Sequence, residues 1–457
     1  MTRQWTPHPY QLRGLRQLLG NTGAGLFLDP GMGKTSTTLA YIQSLKDAGQ
    51  LKGALVVAPL RPAHEVWPRE IEKWDDFATM RYEVLHGPRK TAALDRPADV
   101  YIINYEGLGW LEDNLKRIRP RLNVLVLDES TRVKNHTSQR FLILRRMIAA
   151  KVFDRRVILT GTPRPNSLLD LFAQVYMLDG GERLGRYITH YRRRYFNEIA
   201  RPGRSWSEWV PKEGADADVT RAIGDIVLTL QAEDYLDMPA INHVDVRVPV
   251  DADVMDMYRD FAREYMVELR KTVATAANAA VLGNKLRQLL GGSLYVDGKV
   301  EVVHTAKADA LAELVEELQG NPLLVGVGFR HEVDLIRRVL GYKVPYIGGG
   351  ESTKAVKDAI GAWNAGRLPV LLAHPASVAH GLNLQAGGHH ICWYTLSWNL
   401  EEYEQLNRRL YRQGQSKPVF VHTLMVPDTI DNKVAEVLRA KGDRQKALLK
   451  ALTEVPT

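Results

Sequence analysis

An α/β protein of two doubly wound parallel-sheet domains is what this sequence predicts, and three observations carry the prediction. Short, continuously apolar runs recur in both halves of the chain. In the first half they are GLFL (25–28), ALVVAP (54–59), VYIINY (100–105), NVLVLDE (123–129) and RVILTGTP (156–163). In the second half they are PLLVGVGF (322–329), KVPYIGG (343–349), PVLLAHP (369–375), HHICWYT (389–395) and VFVHTLMV (419–426). Runs of this length without polar alternation suit strands covered on both faces. Helical patterns lie between them, as in HEVWPREIEKW (64–74) and HEVDLIRRVL (331–340). A length of 457 residues allows two or three cores of ordinary size.

The middle breaks this rhythm. From about 180 to 300 the chain reads as charged and largely helical, with RLGRYITHYRRRYF (183–196) and DADVMDMYRDFAREYMVELRK (251–271). RPGRSWSEWVPKEGADAD (201–218) reads as a surface loop. The segment DMPAINHVDVRVPVD (237–251) is extended, contains prolines and precedes a new helix, so the domains are expected at 1–238 and 239–457.

Composition narrows the classes. Apolar residues at 45% and charged residues at 25% describe a globular chain and exclude a disordered one. A net charge of +8 fits a polyanion partner without requiring one. No apolar leader and no membrane-length apolar stretch is present, which predicts an intracellular, cytoplasmic protein. The single cysteine, Cys392, lies in an apolar run and reads as a buried strand residue.

The stretch FLDPGMGKTSTTLAY (27–41) has the ending of a phosphate-binding loop between a strand and a helix, but Leu28 stands where the usual pattern has its first glycine. Backbone amides of Gly31, Met32 and Gly33 are placed to cradle phosphates at the positive end of the helix. Lys34 is expected to reach the β and γ phosphates, the Thr35 hydroxyl to ligate magnesium, and Ser36 to lie beside the nucleotide. Downstream, VLVLDE puts Asp128 and Glu129 at the end of a hydrophobic strand, where one carboxylate holds the magnesium shell and the next orients the attacking water. Upstream, Gln11 in HPYQL offers an amide to an adenine edge.

The order HPYQL, DPGMGKT, VVAPLRPAHEVW, DESTRVKN, LTGTPRPN resembles that of the Swi/Snf-type ATPases, the DNA-translocating branch of superfamily 2 helicases. That family has no glycine at the position of Leu28. Two departures stand out: Asp29-Pro30 replaces Glu-Met, and Ser130-Thr131 replaces Ala-His. The resemblance implies two RecA-like lobes with helical insertions, ATP and Mg2+ as ligands, and double-stranded DNA as the partner. It also implies that QLNRRLYRQGQ (405–415) carries the arginines Arg409 and Arg412, with Gln405 beside them, toward the γ phosphate. In HGLNLQA (380–386), Gly381 and Asn383 are the nucleotide-sensing and coupling positions, as are Thr160 and Thr162 in LTGTP.

Candidate DNA contacts are Arg61, Lys134, Arg164, Arg192, Arg193 and Trp398. For Arg192 and Arg193 a charged helix face with its tyrosines turned inward is the competing reading; for Trp398 it is a core position. Gly348–Ser352 reads as a strand-to-helix turn. The histidines at 374, 380, 389 and 390 read as structural and not as a metal cluster. The leading expectation is a monomeric, ATP-dependent translocase on duplex DNA, in a bacterial, archaeal or virus-infected cell. A strand-separating DNA or RNA helicase and an ATP-binding switch with little turnover are the alternatives.

Overall fold

The structure is a computed structural model that describes residues 3–199, 208–271, 276–296, 298–378 and 382–453. These residues form two compact units. The first holds the chain up to Asn197, Trp209–Leu236 and the segment from Lys441 on. The second holds Asp237–Ala440, with Glu198, Ile199 and Glu208.

In the first unit, β1 (Gly23–Leu28), β2 (Ala54–Ala58), β3 (Tyr82–Val84), β4 (Val100–Asn104), β5 (Val124–Asp128) and β6 (Arg155–Thr160) assemble with the later β9 (Val227–Leu230). They make a seven-stranded sheet in the order β3-β4-β2-β5-β6-β1-β9, and every pairing in it is parallel. Every residue of β1, β2, β4 and β5 is buried, as strands covered by helices on both faces must be. The register pairs Phe27 with Thr160, Asp128 with Leu159, and Leu28 with Leu230. Four strands therefore end at one level, and the carboxyl edge of such a sheet is where ligands bind.

In the chain ahead of β9, β7 (Phe196–Ile199) and β8 (Glu208–Pro211) make a separate two-stranded sheet. Of the expected surface loop 201–218, residues 201–207 lie outside the described residues, and the remainder is not a plain loop: it holds β8 and the start of the helix Ala215–Ile223.

The second unit contains β10 (Ile241–Arg247), β11 (Ser293–Val296), β12 (Lys299–Val302), β13 (Leu323–Gly326), β14 (Tyr346–Ile347), β15 (Val370–Ala373), β16 (His390–Trp393) and β17 (Val419–Met425). Six of these form a parallel sheet in the order β10-β17-β16-β13-β15-β14, and β11 and β12 pair separately as an antiparallel ribbon. Cys392 is buried in β16, where burial pushes its thiol up to about 12. After β14 the turn at 348–352 delivers the helix Thr353–Asn364, capped by the Ser352 hydroxyl, which accepts from the Ala355 amide at 3.2 Å.

All ten apolar runs are strands. The middle is less helical than its charge suggests, because β7 to β12 all fall between residues 196 and 302. β9, in DIVLTLQ, extends the first sheet, and β10, in INHVDVR, extends the second. β10 is an edge strand with mostly exposed side chains, so it lacks the apolar run that marks central strands. Among the described residues, no helix is long and apolar enough to cross a membrane, and no group of three or more metal-ligating side chains is found.

Candidate active site

The phosphate loop follows β1. Gly31 (φ 92°) and Gly33 (φ 73°) both take left-handed backbone, which only glycine adopts cheaply, and the helix Lys34–Asp47 begins immediately after. A β-carbon on Gly33 would also collide with the Gln11 amide. The Lys34 ammonium donates to the carbonyls of Leu28 (2.6 Å) and Asp29 (3.3 Å), so it is folded back over its own loop. The Met32 amide donates to the Asp29 carbonyl at 3.3 Å, and its side chain is fully buried. Thr35 is half-buried on the first helical turn, and the Ser36 hydroxyl donates to the Gly33 carbonyl at 3.0 Å.

Asp128 ends β5. Its Oδ2 accepts from the indole N–H of Trp67 at 2.9 Å, and the Tyr105 hydroxyl donates to its backbone carbonyl at 2.8 Å. Burial raises the carboxyl pKa, while the Trp67 bond and the charge of Lys34 oppose that rise. Glu129 follows at φ 54°, a left-handed conformation for a non-glycine residue, which costs on the order of 1 kcal/mol and persists only where its surroundings enforce it. The Arg132 amide, donating to the Glu129 carbonyl at 2.9 Å, helps to enforce it here.

Ser130 takes up a role that its sequence position did not reveal. Its hydroxyl donates to the Gln174 Oε1 at 2.7 Å, and the Gln174 amide donates to the carbonyls of Pro163 (2.7 Å) and Asp170 (2.8 Å). The acidic turn is thereby tied to the LTGTP turn through one buried glutamine. Thr160 and Thr162 are both buried in that turn; the Thr160 hydroxyl accepts from the Thr162 amide at 3.1 Å. The Thr162 hydroxyl has no partner among the described residues.

Gln11 sits against the phosphate loop with its amide already engaged. Its Oε1 accepts from the His8 amide at 2.8 Å, and its Nε2 lies 3.5 Å from the Ser36 hydroxyl. Bidentate pairing with an adenine edge would require both contacts to be given up.

In the second unit, Arg409 is buried. It donates from Nε to the Gln405 carbonyl (3.0 Å) and from Nη1 to the Leu382 carbonyl (2.9 Å). Arg412 is half-buried, makes no side-chain hydrogen bond or ion pair among the described residues, and has its pKa lowered by desolvation. Gln405 is buried and donates to Glu401 at 3.3 Å; Asn383 is exposed, and Gly381 lies outside the described residues.

Of the candidate DNA contacts, Arg164 is the clear departure. It is 6% exposed and ion-paired with Asp216, so it holds the helix Ala215–Ile223 and offers no face to a ligand. Arg61 and Lys134 are half-buried, and Trp398 is half-buried against the core of the second unit. On the helix Ile188–Tyr195, Tyr191 and Tyr195 face inward while Arg193 and Arg194 are exposed. Arg192 lies over the Trp209 ring at 5.0 Å. Trp67, Tyr105 and Gln174 escaped the sequence reading because each acts by holding another residue. Trp67 alone left a trace, in the HEVW segment.

A phosphate loop after β1 and paired carboxylates after β5, on one edge of a parallel sheet, define a P-loop nucleotide hydrolase. Known proteins narrow the class further. The SNF2-related domain profile matches residues 10–193, and the helicase conserved C-terminal domain profile matches residues 306–414. The putative protein p41 of Acyrthosiphon pisum secondary endosymbiont phage 1 is 34% identical over 465 residues, covering 98% of this chain and 99% of that protein. The putative ATP-dependent helicase/translocase YwqA of Bacillus subtilis (strain 168) is 25% identical, covering 99% of this chain but only 50% of its own length. Among solved structures, the SWI2/SNF2 ATPase core of Sulfolobus solfataricus in complex with dsDNA is similar at 20% identity, covering 100% of this chain and 98% of that one, with a TM-score of 0.44. The chain belongs to the SNF2-related family of superfamily 2 helicase-like ATP hydrolases, and the two matched regions fall one in each of its two parallel-sheet units, or lobes.

Proposed function

We propose that this protein is a DNA-stimulated ATPase that moves along double-stranded DNA. The observation that carries the reading is the pairing of Asp128, buried and held by Trp67, with Glu129, locked in a left-handed turn beside it. A hydrolase needs one carboxylate fixed for the metal–phosphate group and another aimed at water. Thr35 and Asp128 offer hard oxygen ligands and are the residues that would hold magnesium, which neutralises charge on the β- and γ-phosphate oxygens when bound. Lys34 gives up two carbonyl bonds to reach the phosphates, and Glu129 orients the attacking water. Arg412 of the second lobe stabilises the transition state, and Arg409 holds the segment that carries it.

Support for a DNA track comes from family membership, from the net charge of +8 and from the exposed Arg193 and Arg194. Likeness to a phage protein supports work inside a bacterial cell.

The test is ATP turnover measured side by side with duplex DNA, single-stranded DNA and RNA. Strong stimulation by duplex DNA is expected; stimulation by RNA alone would overturn the choice of track. Glu129→Gln is expected to keep ATP binding while turnover falls on the order of 10²-fold or more. Undiminished turnover in that variant would remove Glu129 from its role.

A further inference from the structure

We infer that the turn at residues 231–235, the last of the first lobe before the chain crosses to the second, is a wall of the nucleotide site. Asp29 latches it to the phosphate loop, and Tyr235 presents a ring to the nucleobase. This rests on the ATP-hydrolysis reading above and deepens it.

β1 and β9 are parallel neighbours with Leu28 opposite Leu230, so Asp29 and Gln231 leave the sheet together. Asp29 is 7% exposed, and its Oδ2 accepts from the backbone amide of Ala232 at 2.9 Å. Ala232 opens the short 3-10 turn Ala232–Asp234, whose first amides have no partner within the turn. Asp29 therefore caps a turn 203 residues away in sequence.

Pro30 fixes this arrangement. Its ring fixes φ and restricts the residue before it, so the Asp29 backbone is held in one conformation. The same ring lies against Gly161, where an added β-carbon would meet Pro30 Cδ at 3.0 Å. The Asp29-Pro30 pair thus joins the phosphate loop to the LTGTP turn on one side and to the 231–235 turn on the other.

From Ala232 the contacts close into a ring. Tyr235 accepts a hydrogen bond from Arg13 at 3.0 Å, and its ring lies 5.6 Å from that of Tyr10. Tyr10 is buried and stacks on His8 at 5.2 Å. Arg13, Tyr10 and His8 surround the start of the helix Pro9–Gly20, which also carries Gln11, and Gln11 returns to Gly33 and Ser36. The ring encloses one side of the phosphate loop. His8, Arg13 and Tyr235 are its exposed members, with Tyr235 at 37%. Two flat aromatic faces and a guanidinium, next to a phosphate cradle, have the chemistry that holds a planar base by stacking. Because the Gln11 amide is spent internally, stacking on this wall and not edge pairing is what would hold adenine.

The arrangement has a mechanical consequence. The residues that hold the base also hold the chain two residues before Asp237, where the second lobe begins. Nucleotide binding is then felt at the connection between the lobes. A ligand shifts such an element only through differential contacts with its states, and Tyr235 and Asp29 supply them.

The experiment is steady-state ATP turnover by the full-length protein with saturating duplex DNA, comparing ATP with GTP and using inorganic tripolyphosphate as a base-free inhibitor. Tyr235→Ala is expected to raise KM for ATP on the order of tenfold with a much smaller fall in kcat, since base–aromatic stacking has about that worth. Its ATP-over-GTP preference should change, and inhibition by tripolyphosphate should not. Tyr235→Phe, which keeps the ring, should restore KM to within about threefold of the parent. Asp29→Ala should raise KM for ATP, and Asp29→Asn, whose side-chain oxygen still accepts from the Ala232 amide, should restore it. An unchanged KM and nucleotide preference in Tyr235→Ala would overturn the inference, as would tripolyphosphate inhibition weakening in step with KM. Tyr235 is exposed, so its variants decide the matter even if Asp29→Ala does not fold. A Lys34→Met variant separates the two levels: if it turns over ATP like the parent, the turnover does not arise at this phosphate loop, and the site on which the wall depends fails with it. If Lys34→Met is inactive while Tyr235→Ala is indistinguishable from the parent, only the wall fails.

Discussion

Each lobe has a lysine close to a buried aspartate, and the two are used in opposite ways. In the second lobe Lys307 is 1% exposed and bonds Asp431 at 2.7 Å and the Tyr394 carbonyl at 3.2 Å. The neighbouring Glu332 is fully buried, and it accepts from the Gly328 and Phe329 amides and the Thr395 hydroxyl. Burial raises the Glu332 pKa, and these bonds only partly offset it. In the first lobe Lys34 is half-buried and donates to two carbonyls, while Asp128 takes the Trp67 indole. A neutral carbonyl is a weak partner for an ammonium, and a phosphate replaces it at a gain. A closed ion pair has no such replacement. A buried charge that works is held by partners it can surrender, whereas a buried charge that only supports the fold is closed on its own counter-ion.

Substitution separates the two lysines by what each variant loses. Lys34→Met is expected to lower ATP turnover on the order of 10²- to 10³-fold, as the loss of one group that stabilises developing charge does. Its urea unfolding midpoint should stay near that of the parent. Lys307→Met should do the reverse and cost about 3–5 kcal/mol of stability, because Asp431 is left buried without its cation. If Lys307→Met folds as well as the parent and Lys34→Met does not, the assignment of roles is inverted.

The two arginines of the second lobe divide in the same way, with smaller effects. Arg412→Ala should reduce turnover while leaving thermal unfolding and DNA affinity near those of the parent, since its side chain supports nothing else among the described residues. Arg409→Ala should reduce turnover and also lower stability by about 1–3 kcal/mol, because the carbonyls of Gln405 and Leu382 lose a charged donor. Equal stability losses in the two variants would remove the distinction.

The smallest expected effect is a pH dependence in the second sheet. His390 Nδ1 lies 3.2 Å from His422 Nε2 on the neighbouring strand, with Phe420 stacked alongside. Burial first, then the nearby His389, His422 and Lys417, lower the His390 pKa from its ordinary 6.5 to about 4. The folded protein binds this proton less readily than the unfolded chain, so its stability is complete above about pH 6.5 and falls as pH drops toward 4. The urea midpoint should decrease between pH 7 and pH 5, and His390→Gln should flatten part of that slope.

Much of this was legible in the sequence for physical reasons. A central parallel strand is buried on both faces and must be apolar throughout, so nine central strands announce themselves, as does β14, an edge strand that is nonetheless buried. An exposed edge strand answers to no such rule, and β10, with its polar INHVDVR, shows in the sequence only as an extended segment. The phosphate loop is legible because left-handed backbone demands glycine at fixed spacing from a lysine. The Asp128-Glu129 pair is legible because carboxylates at the end of an apolar run have few other uses. Arg164 shows the limit: its neighbours in LTGTPRPN suggest a ligand-facing residue, yet Asp216 on a later helix claims it.

The two parallel sheets, the position of the phosphate loop, the acidic pair and the family can all be read from the sequence. All of these are written in contiguous stretches whose backbone or burial needs allow few residue types. Tertiary structure alone decided which polar side chains are committed and to what. Trp67 holds Asp128 across 61 residues, and Asp29 holds Ala232 across 203. Such pairings depend on which strand ends and turns meet after folding, and no local pattern encodes them. The Asp29-Pro30 pair, which stands where the family has Glu-Met, gains its reason only there: one residue caps the turn that leaves the lobe, and the other fixes its backbone so that it can.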